Sequence, residues 1–294
     1  MSDTGTPGNW GRWGADDEAG ALNLITPQRT LAALGVVRSG TVMSLAQPIG
    51  PKHATAPHRR ESARFMVRDA GDYALGARTP GGFRFAEDVV QLGTHNGTHV
   101  DALCHAWRGE TLYNGHPART LRSTTGAQKL GAETLRPTLT RGVLIDLVEA
   151  NEGVPLAAQT KVGAAELEAA TRLSGVVPQQ GDAVLLRTGW WESAATTDYF
   201  DNEPGISTGG ARWLADHDVS LVGADNYAVE VQPAAAGEAF PVHLLMMHEL
   251  GIPLIENLAL AELAAAGVRE FLFVFAPIPL EGSTGSPLNP LAVL

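Results

Sequence analysis

From Ser207 to Pro277 the sequence alternates between two hydrophobic periods. STGGARWLADHD (207–218) has helical spacing, VSLVGAD (219–225) is an apolar run of strand length, and HLLMMHELG (243–251) is helical again. IPLI (252–255) then reads as extended, LALAELAAAG (258–267) as helix and REFLFVFAP (269–277) as strand. Short strands alternating with helices point to a mixed α/β sheet. Upstream, GVLIDLV (142–148), VGAAELEAATRLSG (162–175) and DAVLLRTGW (182–190) carry the same pattern, with Gly175 placed to close a helix. In TPQRTLAALG, Thr26 and Pro27 suit an N-cap and a first helical position, and TVMSLAQPI is a strand ended by Pro48 and Gly50. Residues 51–86 show little periodicity and are expected to form a long irregular segment, while GSTGSP sits in a proline-rich C-terminal tail. With no linker and no internal repeat, the expectation is one α/β domain over residues 1–294, with an extended N-terminal arm at 1–30 that carries Trp10 and Trp13.

Composition narrows the partners. A chain of 294 residues with 44% hydrophobic content can bury a large core. Its net charge of -11 argues against nucleic acid or an anionic membrane and in favour of a small-molecule substrate. The single cysteine, Cys104, rules out a disulfide framework within the chain. MSDTGTPGNWGRWG lacks the apolar run of a signal peptide, and FLFVFAPIPL is too short and proline-broken to span a bilayer, so a cytoplasmic protein is expected.

The chemistry concentrates in HNGTHVDALCH (95–105). Zinc-like ions need ligand atoms about 2.0–2.2 Å away, which confines the ligand backbones to a small shell. On a straight helix His95 and His99 share a face while Asp101 turns away. On a straight strand all three share a face, but the histidines stand roughly 13 Å apart at about 3.3 Å per residue. A bent strand end resolves this: Gly97 can adopt a conformation closed to other residues and fold His95 and His99 toward one point, with Asp101 on the same side. Thr98 is a candidate to support a ligand by hydrogen bonding. His105 suits proton transfer better than ligation, since an imidazole of ordinary pKa near 6.5 acts as acid or base at neutral pH.

HNGTHVDALCH resembles the signature of the metal-dependent cyclase family, which includes bacterial kynurenine formamidases and isatin hydrolase: His-x-Gly-Thr-His-x-Asp followed by a further histidine. Leu103 stands where many relatives have proline. NWGRWGADDEAGALNLITP, GDAVLLRTGW, GADNYAVEVQP and VHLLMMHELGIPLIENLALAEL are similar, more loosely, to other blocks of the family. The resemblance implies that His95, His99 and Asp101 bind a divalent ion, zinc or manganese, and that His105 is the catalytic acid/base. His243 and Glu256 are similar to residues that complete a second metal site in the formamidases, but their separation is one residue longer here, so a second metal and a substrate contact both stay open. The resemblance also implies a swivelling β/β/α fold and a homo-oligomer, dimer or tetramer, in which the N-terminal arm reaches a neighbouring active site.

Other residues carry weaker signals. His243 could instead cap a helix and Glu256 could favour a helix N-terminus. Asp225 lies at a strand end, a common ligand-facing place in α/β folds, although Asp-Asn is also ordinary turn chemistry. Trp10, Trp13, Phe83, Trp107 and Trp191 are candidates for an aromatic pocket or for core and interface packing. His53, His58, His116 and His217 show no pattern.

Two histidines and an aspartate would leave open coordination positions, which suits activation of water for hydrolysis of a small amide, lactam, lactone or formamide. Two alternatives remain at this level. One is metal-assisted cyclisation or dehydration of a polyketide-like substrate, and the other a non-catalytic binding protein with a structural ion. No Gly-x-Ser-x-Gly is present, and His248-Glu249 lacks the second histidine of a zinc protease.

Overall fold

In the computed structural model, which describes residues 8–50, 55–194 and 199–294, the apolar runs of the sequence form the centre of a nine-stranded mixed sheet. Strands Thr138–Asp146, Ala183–Arg187, Leu221–Ala224 and Leu254–Glu256 lie side by side and parallel. Parallel strands are covered on both faces, which is why their sequences are continuous hydrophobic runs rather than alternations. Val143, Leu144, Val184, Leu185, Val222 and Ile255 are accordingly fully buried. Helices Ala164–Ser174 and Thr208–Asp216 and a helical segment at 241–249 connect them in turn.

The helix boundaries follow the local chemistry. Thr26 Oγ1 accepts the Arg29 N–H at 3.3 Å with Pro27 in the first turn, so the helix is Pro27–Leu34. Gly175, in the left-handed region at φ 72°, ends Ala164–Ser174 as the sequence suggests. Residues 243–251 depart from a plain helix: a short α-helical turn Pro241–His243 widens into a π-helical stretch, Leu244–Glu249.

Antiparallel strands extend the sheet on both sides. On one side stand Glu270–Phe275, Leu291–Val293 and Val42–Ser44; on the other, His99–Asp101 and then Gly285–Pro287. The C-terminal residues are therefore not a tail, since 285–287 and 291–293 both pair in the main sheet. Each segment is three residues long and flanked by proline, too short to show a period, and Pro287 sits on an edge strand where a missing N–H is tolerated.

One further expectation changes. Residues 51–86 are not uniformly irregular: Ala63–Arg68 pairs with Glu87–Gln91 in a separate hairpin, joined through a short helix, Ala70–Ala74. Both strands are largely exposed, so no buried face imposes an alternation that the sequence could reveal. The described part of the N-terminal arm, from residue 8 onward, packs against the main domain. Trp10 Nε1 donates to the His248 carbonyl at 2.7 Å, the Ala21 N–H donates to Gly251 at 2.7 Å, and Glu18 accepts from Lys129 and the Leu130 N–H. Ala21 and Leu22 enter the main core. His53 lies outside the described residues.

Candidate metal centre

The site forms where His99–Asp101 is clasped between Leu254–Glu256 and Gly285–Pro287. Register decides the neighbours: Glu256 lies directly opposite His99, and Gly285 opposite Asp101. Just before the strand, Gly97 takes φ +65°, and a Cβ there would stand 2.5 Å from Ile49 Cγ1. The turn brings His95 back toward the strand, so that its Nδ1 lies 2.7 Å from Asp101 Oδ1 and its Nε2 2.9 Å from the Thr284 hydroxyl. Gly285 is required as well, because a Cβ there would lie 2.6 Å from His95 Cε1. His99 Nδ1 donates to the Gly97 carbonyl at 2.8 Å, which turns Nε2 inward.

His243 arrives from the helical turn after Phe240. Its Nδ1 donates to Glu230 Oε1 at 2.6 Å, and the same carboxylate accepts the N–H groups of Val242 and His243 at 3.0 and 2.9 Å. The Nε2 of His243 is thereby aimed at Glu256 Oε1, 3.3 Å away, and Asp101 Oδ2, 3.6 Å away. Two triads result, His95–His99–Asp101 and Asp101–His243–Glu256, which share Asp101 and in each of which the candidate ligand atoms all lie within 4.8 Å of one another. His99 Nε2, Asp101 Oδ2 and Glu256 Oε2 are buried without a hydrogen-bond partner, although His99 Nε2 and Glu256 Oε2 are only 3.2 Å apart. Buried polar atoms are normally paired, so a cluster of orphaned nitrogen and oxygen lone pairs facing one another fits a divalent cation.

Without an ion, the carboxylates draw protons onto the imidazoles, and a divalent cation would displace those protons. Burial by itself lowers His99, but Asp101 and Glu256 outweigh it and raise its pKa to about 9. His243 is raised well above its ordinary value, with Asp101, Glu230 and Glu256 overcoming burial. Against burial, the imidazoles pull Glu256 down to about 2 and hold Asp101 well below the usual carboxylate range. The carboxylates thus remain ionised and demand positive charge between them.

His105 behaves differently. Its ring stacks on His95 at 4.0 Å, and burial, which outweighs the attraction of Asp101, pushes its pKa down to about 4. It is a neutral imidazole at physiological pH. With His58, Arg59, Tyr227 and Phe240 it borders a cavity of about 430 Å³ that also reaches His95, His243 and Glu256. Arg59 donates to the His95 carbonyl, lies 4.0 Å from Glu256 Oε2 and stacks over Tyr227 at 4.9 Å.

The sequence candidates thus separate. His95, His99, Asp101, His105, His243 and Glu256 are brought together, whereas Asp225 is committed elsewhere. Its buried carboxylate accepts the Thr188 N–H and hydroxyl and the Gly189 N–H, and burial raises its pKa to about 6. Thr98 braces the turn rather than a ligand, donating to the Asn257 carbonyl and accepting the Gln47 N–H. Thr284 contacts His95 instead. The aromatic residues at the cavity wall are Tyr227 and Phe240; of the pocket candidates, Trp10 packs edge-on to His248 and Trp191 to Tyr199, the packing role the sequence also allowed. Thr284, Arg59 and Phe240 carry no local motif, and Tyr227 and Glu230 lie in the block GADNYAVEVQP without a signal that assigns them a role, so the fold reveals them.

The sequence matches, over residues 43–231, the family described as "Putative cyclase". A solved structure of a novel cyclase is 35% identical over 98% of both chains, with a TM-score of 0.91. An isatin hydrolase bound to the product analogue thioisatinate is 20% identical over 92% of this chain and 99% of its own, with a TM-score of 0.66. The isatin hydrolase A of Ralstonia solanacearum is 23% identical over 91% and 97%, with a TM-score of 0.64. A comparison with curated proteins returned no match. The chain belongs to the cyclase family, and its mixed α/β fold is that of the isatin hydrolases.

Proposed function

We propose that this cyclase-family chain is a metal-dependent hydrolase that opens a small amide, lactam, lactone or formamide. The observation that carries the proposal is the group of unpartnered buried atoms on His99, Asp101 and Glu256, beside a neutral imidazole at the wall of an aromatic-edged cavity. His95, His99 and Asp101 would hold the ion, with His243 and Glu256 completing the set around the shared aspartate; this mixed nitrogen and oxygen donor set suits zinc or manganese. When bound, the ion supplies Lewis acidity and lowers the pKa of a ligated water toward neutrality.

The remaining chemistry belongs to the chain. Glu230 fixes the tautomer of His243, and the Thr284 hydroxyl at Nε2 holds the ring of His95 with Nδ1 turned toward Asp101. His105 accepts a proton from the attacking water at an imidazole nitrogen and returns it to the leaving nitrogen or oxygen as the C–N or C–O bond breaks. Tyr227 and Phe240 offer apolar surface to a planar substrate.

The test is turnover of formyl-anilines, isatin-like lactams, cyclic imides and lactones by zinc- or manganese-loaded protein in heavy-oxygen water. Hydrolysis yields a carboxylate carrying one heavy oxygen. Conversion without gain of mass would replace this reading with metal-assisted cyclisation. Absence of turnover across the panel, together with a closed coordination shell that exchanges no water, would replace it with a structural-metal protein.

A further inference from the structure

Arg59 carries a charge at the candidate site that the proposed chemistry leaves unused. Its side chain is only 16% exposed, and among the described residues that line the cavity it is the one lysine or arginine. A turn holds it in place: the Arg59 N–H donates to the Ala56 carbonyl at 2.8 Å, and the Asn96 amide donates to the Arg60 carbonyl at 2.7 Å. The guanidinium is fixed as well, by donation from Nη1 to the His95 carbonyl and by stacking over Tyr227. Its other edge, formed by Nε and Nη2, makes no hydrogen bond among the described residues and remains accessible.

A guanidinium this far from water needs a negative partner. The carboxylate near it, Glu256, stands 4.0 Å from Nη2, outside hydrogen-bond reach, and belongs to the candidate ligand set. Asp101 and Glu256 together offset a divalent ion, and Glu230 is committed to three N–H groups behind His243. With the ion in place, no carboxylate of the cavity wall is left to balance Arg59.

We propose that Arg59 is the carboxylate-binding residue of this cavity, a reading that rests on the metal centre described above. Nε–H and Nη2–H point the same way and match the two oxygens of a carboxylate, while the planar body of the bound molecule lies against Tyr227 and Phe240. Because the fork is already held by His95 and Tyr227, little side-chain freedom is lost on binding. Recognition has to be local, since a chain of net charge -11 offers anions no general attraction. The carboxylate has two sources of the same chemistry: one that the substrate brings, and one that hydrolysis makes at the scissile carbonyl.

Isothermal titration of the zinc-loaded full chain tests the proposal without turnover, so its outcome is separate from that of the heavy-oxygen assay. The probes are benzoate and nitrobenzene, its neutral counterpart of the same shape. Arg59→Gln weakens benzoate about 10–100-fold, leaves nitrobenzene within twofold and keeps the zinc content; Arg59→Lys, which retains the charge without the fork, falls between. Unchanged benzoate affinity, equal loss for both probes, or loss of zinc overturns the proposal and makes Arg59 a packing residue or a support of Glu256. Formanilide and its ortho-carboxylate then distinguish the sources. In Arg59→Gln, a fall in kcat/KM confined to the carboxylated substrate assigns the carboxylate that the substrate brings, and an equal fall on both assigns the one made by hydrolysis. No fall on either overturns the proposal.

Discussion

Substituting Glu230 by glutamine separates a residue that orients a metal ligand from one that only completes the fold. The Glu230 carboxylate is 1% exposed and accepts three N–H groups: the backbone N–H groups of Val242 and His243 and the ring Nδ1–H of His243, at 3.0, 2.9 and 2.6 Å. Glutamine keeps the shape but removes the charge and offers a single acceptor oxygen. Its amide NH2 then faces at least one backbone N–H as donor against donor. A buried unsatisfied donor costs about 1–3 kcal/mol, so the metal-free protein loses stability of about that size. Independently, the charge-assisted bond that holds the His243 ring is lost. Such bonds contribute about 1.5–3 kcal/mol, and removing a partner of a ligating histidine typically weakens metal affinity about 10–100-fold, or about 1.4–2.7 kcal/mol. The two routes agree in size. Isothermal titration of zinc or manganese into metal-free wild type and variant measures the second effect, and denaturant unfolding of the same metal-free proteins measures the first. A variant that loses stability but binds metal within twofold of wild type would refute the orienting role and leave Glu230 a fold residue.

Two further outcomes are expected. Because burial holds His105 near pKa 4, its base form persists as pH falls, and the acid limb of kcat/KM due to this group lies well below pH 6; His105→Gln keeps bound metal but lowers kcat by about 10²–10⁴-fold. A limb near the ordinary imidazole value that disappears in the variant would count against this assignment. Gly97→Ala forces a left-handed backbone on a residue with a Cβ and meets Ile49, so it should destabilise by about 1–3 kcal/mol in denaturant titration. Trimming Ile49 to alanine in that background should recover only the steric part, and full recovery would show that backbone strain contributes nothing.

What the sequence by itself determined follows from local physics. Parallel strands buried on both faces must be apolar throughout, and helices need one apolar stripe and a cap, so the alternation over 207–277 and the caps at Thr26 and Gly175 were legible. The same holds for His95, His99 and Asp101, because they lie within seven residues and need only the turn at Gly97 to meet. Tertiary structure decided what depends on strand register and distant packing. Glu256 stands opposite His99 because of pairing between strands more than 150 residues apart, and Glu230 meets His243 across a loop that carries no motif. Asp225 was drawn away by backbone N–H groups that its own neighbourhood does not contain, and the hairpin escaped notice because exposed faces impose no period. Spacing can bring ligands together within one turn of chain, whereas a complete site closes only when remote segments are held in register by the core between them.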